Sequence, residues 1–83
     1  MKKRLCDMNV GDESEITRSS HVEEAMVHRL KELGFEENAS VYCVGESPLG
    51  GMKAYLIKGA VIALRNRDAV GISVNVSATE RQL

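Results

Sequence analysis

The chain has 83 residues, with 11 basic and 12 acidic side chains and a formal net charge of −1, so it has room for one domain and no second. Nucleic-acid-binding proteins usually neutralise phosphates with a basic face and stack bases on aromatic rings. The near-neutral charge and an aromatic content of only 4% argue against that class and favour a protein partner. No stretch approaches the ~20 apolar residues that span a bilayer, and the basic first residues precede no signal-peptide core, so we expect no direct membrane insertion. Two isolated cysteines, Cys6 and Cys43, favour a reducing cytoplasm.

The first third of the chain predicts a turn, a strand and then a helix. Residues 10–12 form the turn and residues 14–17 the strand. The helix is expected from about residue 20 to residue 33, because Ser20 and Glu23 have the spacing of a capping box. Apolar residues recur near the 3.6-residue period and predict one buried stripe. These residues are Val22, Ala25, Met26, Leu30 and Leu33.

The sequence also predicts where this helix ends. Gly34 adopts the left-handed conformation that ends a helix more readily than any other residue. With Leu33 as the C-cap, Phe35 is expected to pack on Leu30, as in a Schellman motif. A turn at residues 37–38 should follow, with Asn38 at positive φ.

Beyond the helix the apolar period changes to two. We expect a strand over residues 39–44 with Val41 and Cys43 on its buried face, and a loop over residues 45–51. A hairpin then joins residues 52–57 and 60–64 across Lys58 and Gly59. A helical turn within residues 66–71, a last strand over 72–76 and a polar, frayed tail over 77–83 complete the chain.

Five short strands with an early helix in so small a domain predict a mainly β fold, closed or nearly closed as a barrel. The order of the pieces also resembles the FeoA family, the small cytoplasmic accessory proteins of bacterial ferrous-iron uptake. The resemblance covers roughly residues 5–76 of a single domain spanning 1–83. It implies a small SH3-like β-barrel of about five strands with one α-helix inserted after the first strand. The matching residues are Arg29, Leu30, Leu33, Gly34, Pro48, Leu49, Gly50, Ala63, Leu64, Arg65, Ala69 and Ile72, with the entry at Val10, Gly11 and Asp12.

This resemblance implies an accessory or regulatory protein of ferrous-iron transport. Such a protein would dock on the cytoplasmic part of FeoB, a membrane permease with a GTPase domain, and would need neither catalysis nor a cofactor of its own. Two alternatives stay open: a metal-responsive regulatory module, since iron-dependent repressors carry a related barrel, and a metal-binding chaperone. The length favours the first interpretation over a repressor, because 83 residues used by a barrel leave no DNA-binding helix-turn-helix.

Five residues are candidates for contact with a partner. Pro48, Leu49 and Gly50 form a loop in which Leu49 is either an exposed docking anchor or a cover folded over the end of the barrel. Arg29 lies near the C-terminus of the predicted helix, and Arg65 lies at the end of a strand. Each arginine either pairs with a carboxylate inside the domain or reaches a partner, including the phosphates bound to a partner GTPase.

Metal binding and catalysis find less support. His21, Glu24 and His28 are spaced to share one face of the predicted helix and are weak candidates for a metal, although solvent-facing polar residues of an amphipathic helix explain them better. The other carboxylates are scattered, so we assign no metal and no cofactor. The serines have only the two histidines as possible bases, so no catalytic residue is assigned.

Overall fold

The computed structural model describes residues 2–76, which fold into one antiparallel sheet of six strands with two short α-helices. The strands lie in the order β1-β6-β2-β3-β4-β5. No helix among these residues is long and apolar enough to cross a membrane. The strands are β1 (Lys2–Arg4), β2 (Glu13–Ser19), β3 (Ser40–Glu46), β4 (Met52–Ile57), β5 (Ala60–Arg65) and β6 (Ile72–Val76). The helices are α1 (Glu24–Glu32) and α2 (Asn66–Ala69), and a 3-10 turn covers Leu5–Asp7.

The five predicted strands are confirmed, and the structure adds a sixth at the beginning of the chain. β1 pairs with β6, Lys2 lying opposite Asn75 and Arg4 opposite Ser73. Its three residues are all basic and show no apolar alternation, so only the neighbouring strand reveals it. The predicted tail over residues 77–83 lies outside the described residues.

The predicted start of the helix is wrong, because Ser20 is used elsewhere. Both its amide and its hydroxyl donate to the carbonyl of Gly71, at 3.1 and 3.0 Å. The Glu23 amide, in turn, donates to Nδ1 of His21 at 3.0 Å, and Glu23 forms the N-cap without a side-chain hydrogen bond. The N-cap is therefore Glu23 and the helix begins at Glu24, three residues later than the capping box suggests.

The predicted end of the helix is confirmed. Gly34 has a φ of 111° and its amide donates to the carbonyl of Lys31 at 3.0 Å. The Phe35 amide donates to the carbonyl of Leu30 at 2.9 Å, which gives both hydrogen bonds of a Schellman motif. Asn38, with a φ of 73°, confirms the turn that follows.

The apolar stripe of α1 is buried only in part. Leu30 is fully buried, and Met26 and Leu33 are partly buried against the core. Val22 precedes the helix and is 99% exposed, and Ala25 is exposed as well, so the prediction that both face the core is wrong. Because α1 contacts the core mainly through Leu30, the apolar side chains of Met26 and Leu33 remain partly accessible along one side of the helix.

The hydrophobic core is one cluster of buried residues from the strands, the helices and the segments between them. Phe35 and Tyr55 meet edge to face, with ring centroids 6.1 Å apart, a geometry that aromatic pairs favour. Leu5 and Met8, which follow β1, are also fully buried in this cluster. The sequence pattern did not identify these two as core residues.

A buried lysine joins β4 to the segment after β1. Lys53 is only 8% exposed, and its Nζ donates to the carbonyls of Cys6 and Met8 at 2.7 and 2.6 Å. Two residues along β4, the Tyr55 hydroxyl donates to the carbonyl of Leu5 at 3.3 Å. These bonds tie β4 to the segment that follows β1, a strand that is not a neighbour of β4 in the sheet.

We expect Lys53→Met to destabilise the domain by about 1–3 kcal/mol, because two buried carbonyls would lose their donor while the length of the side chain is kept. Urea denaturation followed by circular dichroism measures the change. The control is Lys58→Met, which removes an exposed ion pair with Glu36 and should shift stability by less than about 1 kcal/mol. Equal shifts in the two variants would refute the structural role of Lys53.

We also expect Gly71→Ala to be destabilising, by about 1–3 kcal/mol, because an added Cβ would lie 2.1 Å from the backbone oxygen of Ser20. The contact between the residue after β2 and the residue before β6 would have to open. Gly51→Ala is the matched control, since a Cβ there meets nothing within 4 Å. Thermal melting of both variants tests this, and an unchanged midpoint for Gly71→Ala would contradict it.

Candidate functional site

The loop after β3 presents Leu49 to solvent. Leu49 is 99% exposed, so the interpretation in which it folds back over the barrel is wrong. The loop is nevertheless ordered by Ser47, whose hydroxyl accepts from the amides of Gly51 and Met52 at 3.1 and 3.2 Å. The Gly50 amide donates to the carbonyl of Ser47 at 2.9 Å. An exposed leucine on a hydrogen-bonded turn has the form of a docking anchor, and that role stays a prediction.

The same loop is attached to the residue that follows Arg65. The Asn66 side chain donates through Nδ2 to the carbonyl of Gly50 at 2.8 Å, and the Asn66 amide donates to the carbonyl of Gly51 at 3.0 Å. Arg65 and Gly51 accordingly line one surface cavity of about 490 Å³, together with Met52 and Arg67. The structure thus brings Arg65 beside the Pro48–Gly50 loop.

A second cavity, of about 410 Å³, connects Arg65 with Arg29. It lies between α1 and β5 and we call it the α1–β5 groove. Most of its lining residues are apolar, and its charged lining residues are Arg29, Arg65 and Asp68. The other residues that line it are Met26, Leu30, Leu33, Met52, Ile62, Ala63 and Leu64. The half-buried side of α1 therefore forms one wall of this groove.

Neither arginine has an acidic partner among residues 2–76. The ion pairs of this part of the chain join Arg4 to Asp7 and Lys58 to Glu36, and His21 lies 3.3 Å from Asp68. The interpretation that Arg29 or Arg65 bridges carboxylates inside the domain is thus not supported by the described residues. Asp68, the acidic residue of the groove, is already engaged by His21. The groove is therefore an apolar trough with two available guanidinium groups.

The three candidate metal ligands do not come together. His21 precedes α1, so it does not share a helical face with Glu24 and His28, which are both exposed on α1. Its Nδ1 accepts from the Glu23 amide, which leaves the proton on Nε2, facing Asp68. Within residues 2–76 no group of three or more His, Cys, Asp or Glu side chains is placed to hold a metal ion.

The buried thiol of Cys43 and the buried hydroxyl of Tyr55 have structural rather than catalytic roles. Burial raises the pKa of the Cys43 thiol, and its Sγ lies 3.7 Å from the carbonyl of Gly45, which agrees with its interpretation as a small buried apolar residue. Burial also raises the pKa of Tyr55. A raised pKa keeps both groups protonated at neutral pH, so neither is prepared as a nucleophile. Met52, which sequence reasoning did not single out, lines both cavities.

Several solved structures are similar to this chain. The FeoA protein from Chlorobium tepidum is 28% identical with a TM-score of 0.82, over 89% of this chain and 70% of that one. The FeoA of Stenotrophomonas maltophilia, an SH3-domain protein complexed with zinc, is 26% identical with a TM-score of 0.72, over 93% of this chain and 92% of that one. The predicted SH3-like fold is thereby confirmed. None of the curated proteins matches the chain.

A third similar structure is a manganese-dependent transcriptional repressor, with 20% identity and a TM-score of 0.83. The match covers 92% of this chain and 41% of the repressor, and at this identity it shows the fold alone. The family model that matches is that of the FeoA domain, over residues 3–76. The chain therefore belongs to the FeoA domain family, whose members are non-catalytic accessory domains linked to ferrous-iron transport.

Proposed function

We propose that this domain is an accessory protein of ferrous-iron transport that docks on the cytoplasmic part of a FeoB-like GTPase permease. Family membership supplies the transport context. The observation that carries the docking role is that the loop of the exposed Leu49 is bonded to Asn66, beside Arg65, and that Arg65 and Arg29 line one groove. In this proposal the protein works in the cytoplasm, without a cofactor and without entering the membrane.

The proposed face has the composition of a protein interface. Leu49 offers an apolar anchor, and the Ser47 and Asn66 hydrogen bonds hold its loop, so little conformational entropy is lost on binding. Arg29 and Arg65 can pair with carboxylates of the partner, which favours correct orientation and fast association. Pro48 fixes one backbone torsion of the loop and thereby adds to its order.

The alternatives of a metal-binding chaperone and a metal-responsive regulatory module have less support. A related FeoA was solved with zinc, and a related fold occurs in a manganese-dependent repressor. In this chain, however, the described residues hold no cluster of metal ligands. Docking explains the exposed loop and the two arginines, which metal binding leaves unexplained.

Leu49→Asp should weaken binding to the permease at least about tenfold, which corresponds to about 1.4 kcal/mol, because a charge replaces the apolar anchor. The melting temperature should stay within about 2 °C, since the side chain contacts solvent in the free protein. Calorimetric titration of the purified permease and a thermal melt of the same variant give the two numbers.

Val10→Asp is the matched control, since Val10 is also exposed and apolar but lies before β2, outside the loop that Asn66 holds beside Arg65. It should leave permease affinity unchanged. Normal affinity for Leu49→Asp would remove the loop from the interface. A drop in its melting temperature, with affinity lost in proportion, would make the leucine structural.

For metal, we expect no stoichiometric site of micromolar or tighter affinity for Fe²⁺ in anaerobic calorimetry, because no ligand set is assembled within residues 2–76. Weak binding of zinc or nickel to His28 is compatible with this, since imidazole suits both metals. His28→Ala should abolish it. A tight one-to-one iron site would refute the docking-only interpretation and favour the chaperone.

A further inference from the structure

The outer edge of β5 has no partner strand among the described residues. β5 is the last strand of the sheet and pairs with β4 alone. The turn at Lys58 and Gly59, with φ values of 50° and 82°, makes Ile57 and Ala60 a hydrogen-bonded pair. Pairs of this kind alternate along an antiparallel ladder. Val61 and Ala63 therefore direct their amides and carbonyls away from β4, toward the free edge.

The α1–β5 groove runs along this edge. Four consecutive residues of β5, from Ile62 to Arg65, line the groove. In a strand, consecutive side chains point to opposite faces. A cavity that is lined by side chains from both faces therefore lies beside the strand rather than over one of its faces. Since β4 occupies the other side of β5, the groove lies between the free edge and α1.

The two ends of the sheet differ in their protection against a further strand. β1, at one end, has only three residues and all are basic, which is how natural proteins discourage pairing at an edge. β5, at the other end, has six residues, and its first five are apolar with neither charge nor proline. Val61 on this strand is 64% exposed. An open and apolar edge of this length is suited to receive a strand.

The charges of the groove indicate what kind of strand it receives. Arg29 lies on the α1 wall and Arg65 at the end of β5, and neither has an acidic partner within residues 2–76. A strand laid between them would place alternate side chains on the apolar lining residues and the others toward the guanidinium groups. Carboxylates are the groups that match guanidinium in charge and geometry.

We propose that the α1–β5 groove binds an extended acidic segment of the partner protein, which adds to the free edge of β5 as a further strand. Val61 and Ala63 supply the backbone hydrogen bonds, and Arg29 and Arg65 pair with its carboxylates. The identity of the partner rests on the proposed docking function. A second copy of the chain fits less well, because its β5 brings another arginine and no carboxylate.

The probe is a short peptide, capped at both ends, in which Val and Glu alternate, and fluorescence anisotropy with the full chain measures its affinity. A matched peptide with Lys in place of Glu should bind at least about tenfold more weakly, because the arginines would repel it. Equal binding of the two peptides would refute the role of the arginines.

Backbone methylation tests strand addition itself. Residues two apart in a strand turn their amides to the same edge. N-methylation of every Val or of every Glu therefore blocks one edge of the peptide at a time. One methylated peptide should lose binding and the other should keep it. Binding by both, or by neither, would refute pairing with β5.

The protein side is tested with Ala63→Pro, which removes only an outward amide, a change that edge strands tolerate. It should reduce peptide binding at least about tenfold, while Ala63→Ser, which keeps the amide, should not. A thermal melt checks the fold of both, and the methylated peptides decide the matter if Ala63→Pro is unfolded. A dimer that dissociates in Ala63→Pro would assign the edge to a second copy and refute the proposal.

These results separate the inference from the proposed function. If Ala63→Pro binds the permease normally while Leu49→Asp does not, docking holds and strand addition is refuted. If the acidic peptide binds as expected but the chain does not bind the permease, strand addition holds with another partner and the proposed function fails.

Discussion

The buried ammonium group of Lys53 fixes the segment after β1 against β4. Its two hydrogen bonds to the carbonyls of Cys6 and Met8 connect β4 with a segment about 45 residues away in the sequence. A buried charge is costly unless it is hydrogen-bonded, so the segment after β1 has to lie where these carbonyls meet Nζ. Leu5 and Met8 are thereby carried into the core. Tyr55 strengthens the same connection by donating to Leu5.

The same arrangement leaves room for the proposed functional face. Side chains of β4 bond to the segment after β1, and β5 pairs with β4 alone, so its outer edge has no partner strand among residues 2–76. The helix α1 covers the core chiefly with Leu30, and its partly buried Met26 and Leu33 become one wall of the groove. Apolar side chains, the open edge of β5 and two arginines therefore meet in one groove. None of these three features depends on a side chain suited to catalysis.

Features set by neighbouring residues could be predicted from the sequence. The helix ends at Gly34 because only a residue without a Cβ takes a φ of 111° easily. Asn38 tolerates positive φ, and the alternation from Val41 to Cys43 places both on the buried face. The hairpin about Gly59 follows from the same kind of local geometry. The family resemblance, carried by the order of such local devices, gave the fold and the transport context.

Contacts between distant residues decided the rest. Ser20 has the spacing of a capping box, but its amide and hydroxyl donate to the carbonyl of Gly71 instead. The position of Gly71 is set by β6, which directly follows it. A lysine is usually solvated, and the burial of Lys53 is favourable only because the carbonyls of Cys6 and Met8 accept hydrogen bonds from its Nζ. Arg29 and Arg65 could be named from the sequence, yet their common groove exists only because α1 lies beside the edge of β5. Local backbone preferences therefore determined where elements turn and end, while long-range hydrogen bonding and packing determined where they begin and which surfaces they share.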